Sequence, residues 1–330
     1  MPTIAEPEPG HVVGGVDTHK HTHVAAALDH IGRVLAVEAF PATRAGYEDL
    51  LAWLRHYGEL VAVGVEGCGS WGAGLARHLT AEGITVVEVN RPNRQNRRRR
   101  GKSDPLDAEA AARAVLAGDA TVTPKAGDGP VEAIRQLRVA RPGAMKARTA
   151  AANQLHSLCD TAPEAVRSQL RPLTFKQKIA AAQRWRPRPG HSVDANARRA
   201  LASVARRWRA LDDEAQALQA HMAAILDDLA PDLLARHGIG YETASQLLIS
   251  AGDNPKRLAH ERSFAALCGA SPVQASSGRT TRHRLNRGGD RQANSALWTI
   301  TRVRMVNHPP TKAYVQRRTA DGLSKREIMR

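Results

Sequence analysis

Residues 12–29 read "VVGGVDTHKHTHVAAALD", and two features of this stretch set the fold class. Small and β-branched residues run unbroken into Asp17, then resume after a histidine-rich patch as "VAAALD". This predicts two β-rich runs, or one long strand, with a charge inside an otherwise apolar segment. A turn at "HIGR" (30–33) leads to "VLAVEAF" (34–40), the expected antiparallel partner. Next, "TRAGYEDLLAWLRHYG" (43–58) has apolar residues at helical spacing and a terminal glycine, Gly58. "LVAVGVEG" (60–67) is the short apolar run of a buried parallel strand, ending at Glu66. Helix "SWGAGLARHLTAEG" (70–83) and strand "TVVEVN" (85–90) follow. The alternation predicts an α/β domain.

After that strand comes "RRRRGKSDPLDAEAAARAV" (97–115), where dense positive charge abuts two carboxylates, Asp104 and Asp107. Asp104 suits a helix N-cap with Pro105 at the first helical position, and both acids suit the positive end of the helix dipole. Capping leaves the arginines unexplained. In a parallel-sheet domain functional side chains gather at the carboxyl ends of strands. Asp17 and Glu66 occupy such places, where a buried charge is costly unless it is paired, protonated or bound to a cation. Asp104 and Asp107, three apart, share one helix face. Four converging carboxylates would bind Mg²⁺ or Mn²⁺, and paired ions stabilise the attacking and leaving oxygens of a phosphodiester displacement. Arg94, Arg97, Arg98, Arg99, Arg100 and Lys102 would then hold the polyanion over the metals.

Composition agrees. The 330 residues carry 48 Lys plus Arg against 32 acids, a net +16, which argues for a nucleic-acid partner. Aromatics make up only 4%, so phosphate contacts should outweigh base stacking. Three scattered cysteines form no disulfide framework or zinc motif. The N-terminus has no apolar signal region, and no apolar run nears membrane-spanning length; a cytoplasmic protein without membrane contact is expected.

From about 130 to 230 the chain turns helical and alanine-rich. "ARTAAANQLHSLC" (147–159) and "ANARRALASVARRWRALDDEAQALQAHMAAILDDL" (195–229) predict long amphipathic helices forming a coiled-coil arm that mediates self-association. Pro142-Gly143 is expected to interrupt the first, and "RPLTFKQKIAAAQRWRPRPG" (171–190) to be a basic connector. Trp185, Trp208 and Trp298 read as helix-packing anchors. His19, His21 and His23 alternate and so share one strand face; with no fourth ligand nearby, a polar face near nucleic acid is a better reading than a metal-binding trio. "LLARHGIGYETASQLLISAG" (233–252) places Gly238 and Gly240 between two short helices; this resembles a helix–hairpin–helix phosphate clamp, with an ordinary helix C-cap as the equal alternative. The last segment is a second basic patch in which Arg279, Arg282 and Arg284 could neutralise a phosphate. The expected division is a catalytic domain at 1–128, a helical arm at 129–230 and a mainly α C-terminal domain at 231–330.

"GVDTHK" (15–20), "VEGCGSW" (65–71) and "GKSDPLDAEAAARA" (101–114) resemble the three signature blocks of DEDD transposases, the recombinases of the insertion sequence one-ten family. "CGASPVQASSGRTTRHRLNRGGDRQANSAL" (268–297) is similar to that family's second domain. The resemblance covers nearly the whole chain in order, although the family more often has threonine where Cys68 stands. It implies an RNase H-like, RuvC-like N-terminal fold with Asp17, Glu66, Asp104 and Asp107 as the metal-binding set. It also implies a nucleophilic serine, Ser277, with Ser276 adjacent. Donor and target DNA, a structured bridge RNA and a homo-oligomer (dimer or tetramer) are the implied partners, with active sites composed from two subunits.

Two other classes compete. The opening motif also resembles the first phosphate motif of actin-like sugar kinases, but those need a glycine after the aspartate, where Thr18 stands. A non-catalytic nucleic-acid binder would explain the charge and leave the carboxylates idle.

Overall fold

The computed structural model describes residues 8–89, 103–186, 190–254, 257–258, 260–279, 283–284, 286 and 288–329. The chain folds into two compact units, Met1–Glu132 with Leu248–Asn294, and Ala133–Leu247 with Ser295–Arg330.

The first unit is built on a five-stranded mixed sheet. The histidine-rich opening resolves into two strands, β1 (His11–Thr18) and β2 (Thr22–Asp29), followed by β3 (Val34–Pro41), β4 (Glu59–Glu66) and β5 (Thr85–Val89). Their order is β3-β2-β1-β4-β5; β1 pairs antiparallel with β2 and parallel with β4, and β4 pairs parallel with β5. Asp29 makes the β2–β3 turn, since its carboxylate accepts from the amides of Ile31 and Arg33 and from the Arg33 guanidinium. Helices α1 (Arg44–His56) and α2 (Ala73–Ala81) cover one face, where Val12, Val16, Leu50, Leu54, Val63, Leu75 and Leu79 are buried together. Helix α3 (Asp104–Leu116) covers the other, packing Ala108, Ala111, Ala112 and Val115 on Val13, Leu28, Ala62 and Val87. Burial on both faces explains why β1 and β4 read as continuous apolar runs.

The second unit is helical, and two expectations change there. Helix α4 (Pro130–Thr161) runs unbroken through Pro142. The lost backbone bond and ring clash cost about 3 kcal/mol, but the turn that leads into Pro142 is anchored by two arginines. Arg138 donates to Glu242, Ser245 and Gln246, while Arg141 reaches Glu242, Gln219 and the Ala215 carbonyl. The supposed connector holds helix α6 (Phe175–Arg184), after the short α5 (Glu164–Leu170). A capping box of Thr174 and Gln177 starts α6. Helix α7 (Val193–Leu229) packs with these around Leu155, Leu170, Ile179 and Leu201, with Trp185 and Trp208 against that core.

The remaining helices are α8 (Pro231–Leu234), α9 (Tyr241–Ala251), α10 (Glu261–Leu267), α11 (Arg291–Asn307), α12 (Pro309–Ala320) and α13 (Lys325–Met329). A small ladder of β6 (Val273–Gln274) and β7 (His283–Arg284) lies between α10 and α11. Trp298 on α11 stays 47% exposed, with the Arg302 guanidinium 4.8 Å from its ring. Within the first unit, Asp253, Asn254 and Arg257 grip residues 123–131. The Asn254 side chain accepts from the Ala126 amide and donates to the Pro124 carbonyl, and Asp253 accepts from the Val131 amide at the start of α4. Arg257 donates to the carbonyls of Thr123 and Ala251.

Candidate metal centre

The site grows from a pair of glycines. Gly15 on β1 is registered opposite Gly64 on β4, and both lie under α3. A Cβ on Gly15 would stand 2.2 Å from the Ala112 nitrogen and 2.3 Å from the Ala108 oxygen; one on Gly64 would stand 2.7 Å from Val115 and 2.8 Å from the Ala111 oxygen. The helix therefore rests on bare backbone. Two residues further along each strand, the same face carries Asp17 and Glu66. Close approach of α3 brings its first turn, with Asp104 and Asp107, toward those strand ends. Asp107 is only 5% exposed and Asp17 6%, and the Thr18 hydroxyl donates to the Glu66 carbonyl at 2.8 Å, tying the two strand ends together.

The helix begins differently from the sequence expectation. Ser103 is the N-cap, with extended backbone, so Asp104 is already the first helical residue. Its carboxylate is thereby freed from the capping position and lies in the first turn, where the helix dipole favours negative charge. Among the described residues, one group of possible metal ligands converges: atoms of Asp17, His19 and Asp104 all lie within 4.8 Å of one another. Two hard carboxylate oxygens and an imidazole nitrogen suit a divalent cation such as Mg²⁺ or Mn²⁺. Glu66 and Asp107 lie outside this group.

His19 is the residue that sequence reasoning misplaced. The three histidines do not share a strand face, because β1 ends at Thr18. His19 sits in the β1–β2 turn beside Asp17, with Nδ1 3.8 Å from Oδ2; His21 is exposed; His23 on β2 is fully buried and stacked on Tyr47. Burial lowers the His23 pKa, so that ring is held neutral. Trp71, in the loop after β4 and 56% exposed, stacks near-parallel on His19 with centroids 6.1 Å apart. No local periodicity marks it; only the turn that brings His19 across reveals it. Cys68, in the same loop, is buried and donates to the Val65 carbonyl, and burial pushes its thiol up to about 12, so it is no nucleophile.

The other expected residues are dispersed. Arg94, Arg97, Arg98, Arg99, Arg100, Lys102 and Arg282 lie outside the described residues. Ser276, Ser277, Arg279 and Arg284 are exposed in the segment spanning β6 and β7, and Gly278 adopts a left-handed φ of 57°. Gly238 turns at φ 84° against the Ile300 carbonyl and Arg304, and the Gly240 amide donates to the Thr243 hydroxyl. α8, on the amino-terminal side of these glycines, is a single turn of four residues. Among the described residues no helix is long and apolar enough to cross a membrane.

Comparison with known proteins follows the same geography. A family model for DEDD proteins, described as "Transposase", matches residues 14–162, which begin within β1 and include Asp17, β4 and α3. A second, described as "Transposase IS116/IS110/IS902 family", matches residues 232–316, which include the serine pair. A curated relative from Streptomyces coelicolor, the "Insertion element IS110 uncharacterized 43.6 kDa protein", is 33% identical over 126 residues. That match spans 36% of this chain and 30% of the relative. With both domains matched in order, the chain belongs to the IS110 family of transposases.

Proposed function

We propose that the protein is a DNA transposase that cuts and rejoins strands at an RNase H-like centre formed by Asp17, Glu66, Asp104 and Asp107, with Ser277 as the nucleophile. The convergence of Asp17, His19 and Asp104 at the carboxyl end of β1, in a chain of this family, carries the reading. Asp17 and Asp104 would hold Mg²⁺ or Mn²⁺, which when bound stabilises the charge that develops on the phosphodiester oxygens. The protein's own groups do the rest. Thr18 fixes the two strand ends, and the glycine pair sets the depth of α3. Arg97 to Arg100 hold the strand by its phosphates. The Ser277 hydroxyl is a weak nucleophile alone. Gly278 turns the backbone beside it, and Arg279, Arg282 and Arg284 would neutralise the phosphate it attacks.

In this reading residues 1–128 supply the carboxylates, 129–230 an arm for self-association and 231–330 the serine, with active sites shared between subunits of a homo-oligomer. Gly238 and Gly240 would lie along the nucleic-acid path, and a structured bridge RNA would choose donor and target DNA. The test is to sequence nucleic acid that co-purifies with the full chain. One defined RNA supports guided recombination; random host RNA supports a passive binder; none supports neither.

A further inference from the structure

We propose that His19 is a third donor to the cation held by Asp17 and Asp104, and that its imidazole tunes the centre toward Mn²⁺ over Mg²⁺. The inference rests on the metal-centre reading above and extends it to a residue outside the four carboxylates. The first support is distance. Around an octahedral ion with bonds of about 2.0–2.1 Å, adjacent donors stand about 3 Å apart and opposite donors about 4.2 Å. His19 Nδ1 and Asp17 Oδ2 are 3.8 Å apart, inside that range, and Asp104 offers a carboxylate oxygen within 4.8 Å of donor atoms on both. A separation of 3.8 Å is too long for a hydrogen bond and lies within the range two donors take across one cation.

Placement is the second support. The His19 amide donates to the Thr22 carbonyl at 3.1 Å, so the turn fixes its backbone directly after β1. Trp71 stacks on the imidazole at an interplanar angle of 24°, which holds the ring's orientation from the β4 side. Trp71 is thus a positioning residue, acting on the cation only through His19. Nitrogen is a softer donor than carboxylate oxygen, and imidazole suits transition metals where Mg²⁺ prefers an all-oxygen shell. A centre with this donor set should therefore favour Mn²⁺.

The experiment is pulsed electron paramagnetic resonance of Mn²⁺ added to the full-length protein without DNA, beside calorimetric titration with Mn²⁺ and with Mg²⁺. The expected result is a nitrogen hyperfine coupling in the wild type that disappears in His19→Ala. Mn²⁺ affinity should fall in that variant by about 10–100-fold, as on losing a group that supports a metal. His19→Asp, which keeps a donor but makes it oxygen, should restore binding without the nitrogen coupling and narrow the Mn²⁺-to-Mg²⁺ preference. Far-ultraviolet circular dichroism checks that each variant is folded. Mn²⁺ binding that needs Asp17 and Asp104 but shows no nitrogen coupling, or a coupling that persists in His19→Ala, overturns the role of His19 and leaves the carboxylate centre standing. Binding indifferent to both Asp17→Asn and Asp104→Asn overturns the centre itself, and His19 with it.

Discussion

Replacing Gly15 with alanine should damage the centre without touching any of its donors. The added Cβ would stand 2.2 Å from the Ala112 nitrogen and 2.3 Å from the Ala108 oxygen, where ordinary contact begins at 3.4 Å. Both obstacles are backbone, so no side chain can swing aside, and α3 must retreat by about 1 Å or β1 must bend. Overpacking of this kind costs about 1–3 kcal/mol, readable as a lower urea midpoint. The displaced helix carries Asp104, so Asp17 and Asp104 separate. A misplacement of about 1 Å in a catalytic constellation costs about 100-fold in rate. Gly143→Ala is the control. Nothing lies within 4 Å of its Cβ position inside α4, and alanine there should stabilise by about 0.5–1 kcal/mol. The assays are urea unfolding followed by circular dichroism, Mn²⁺ titration and cleavage of element-end DNA. A Gly15→Ala protein with wild-type urea midpoint, Mn²⁺ affinity and cleavage rate would refute the close seating of α3 on β1.

Other outcomes follow from the same reading. Neutralising Arg97 to Arg100 should weaken binding to all DNA sequences alike and flatten the salt dependence by about 0.9 log–log unit per lost duplex phosphate contact; an unchanged slope makes that run a solvated charge cluster. Ser277→Ala should abolish a covalent protein–DNA adduct that survives denaturation, while Ser276→Ala keeps it; the reverse pattern moves the nucleophile by one residue. Burial alone would raise the Asp290 carboxyl, but the Ser250 hydroxyl, the amides of Ala293 and Gln292, and nearby Lys125 together hold it below the usual range. Its native pKa lies below its unfolded one, so its contribution to stability is full above about pH 4 and is lost as the pH falls through the native value. Asp290→Asn should lower the urea midpoint at pH 7 and make it fall less between pH 7 and pH 3.

The sheet was legible because its central strands are buried on both faces, so their apolar runs end abruptly at Asp17 and Glu66. The same abruptness marked both acids as candidates. Asp104 and Asp107 were legible as a pair, but not the N-cap: Ser103 and Asp104 both suit that position, and only the backbone decides between them. Pro142 misled because the local rule against proline in a helix knows nothing of Arg138 and Arg141, whose partners lie about a hundred residues away. The histidines misled for the opposite reason. Alternation holds only while a strand lasts, and β1 stops at Thr18, so His19 turns toward the centre while His23 is buried under Tyr47. The Gly15–Gly64 register is a tertiary fact, and no spacing within either strand announces it.

The decisive measurement is metal-dependent cleavage of element-end DNA by the full-length protein with its co-purified RNA, scored on denaturing gels for the wild type, Asp17→Asn and Asp104→Asn. Strand cleavage should require Mg²⁺ or Mn²⁺, stop on chelation, and fall by about 100–1,000-fold in either variant, as when a group that stabilises transition-state charge is removed. Cleavage that survives chelation, or that proceeds at the wild-type rate in Asp17→Asn, would contradict a carboxylate-held metal centre at the end of β1.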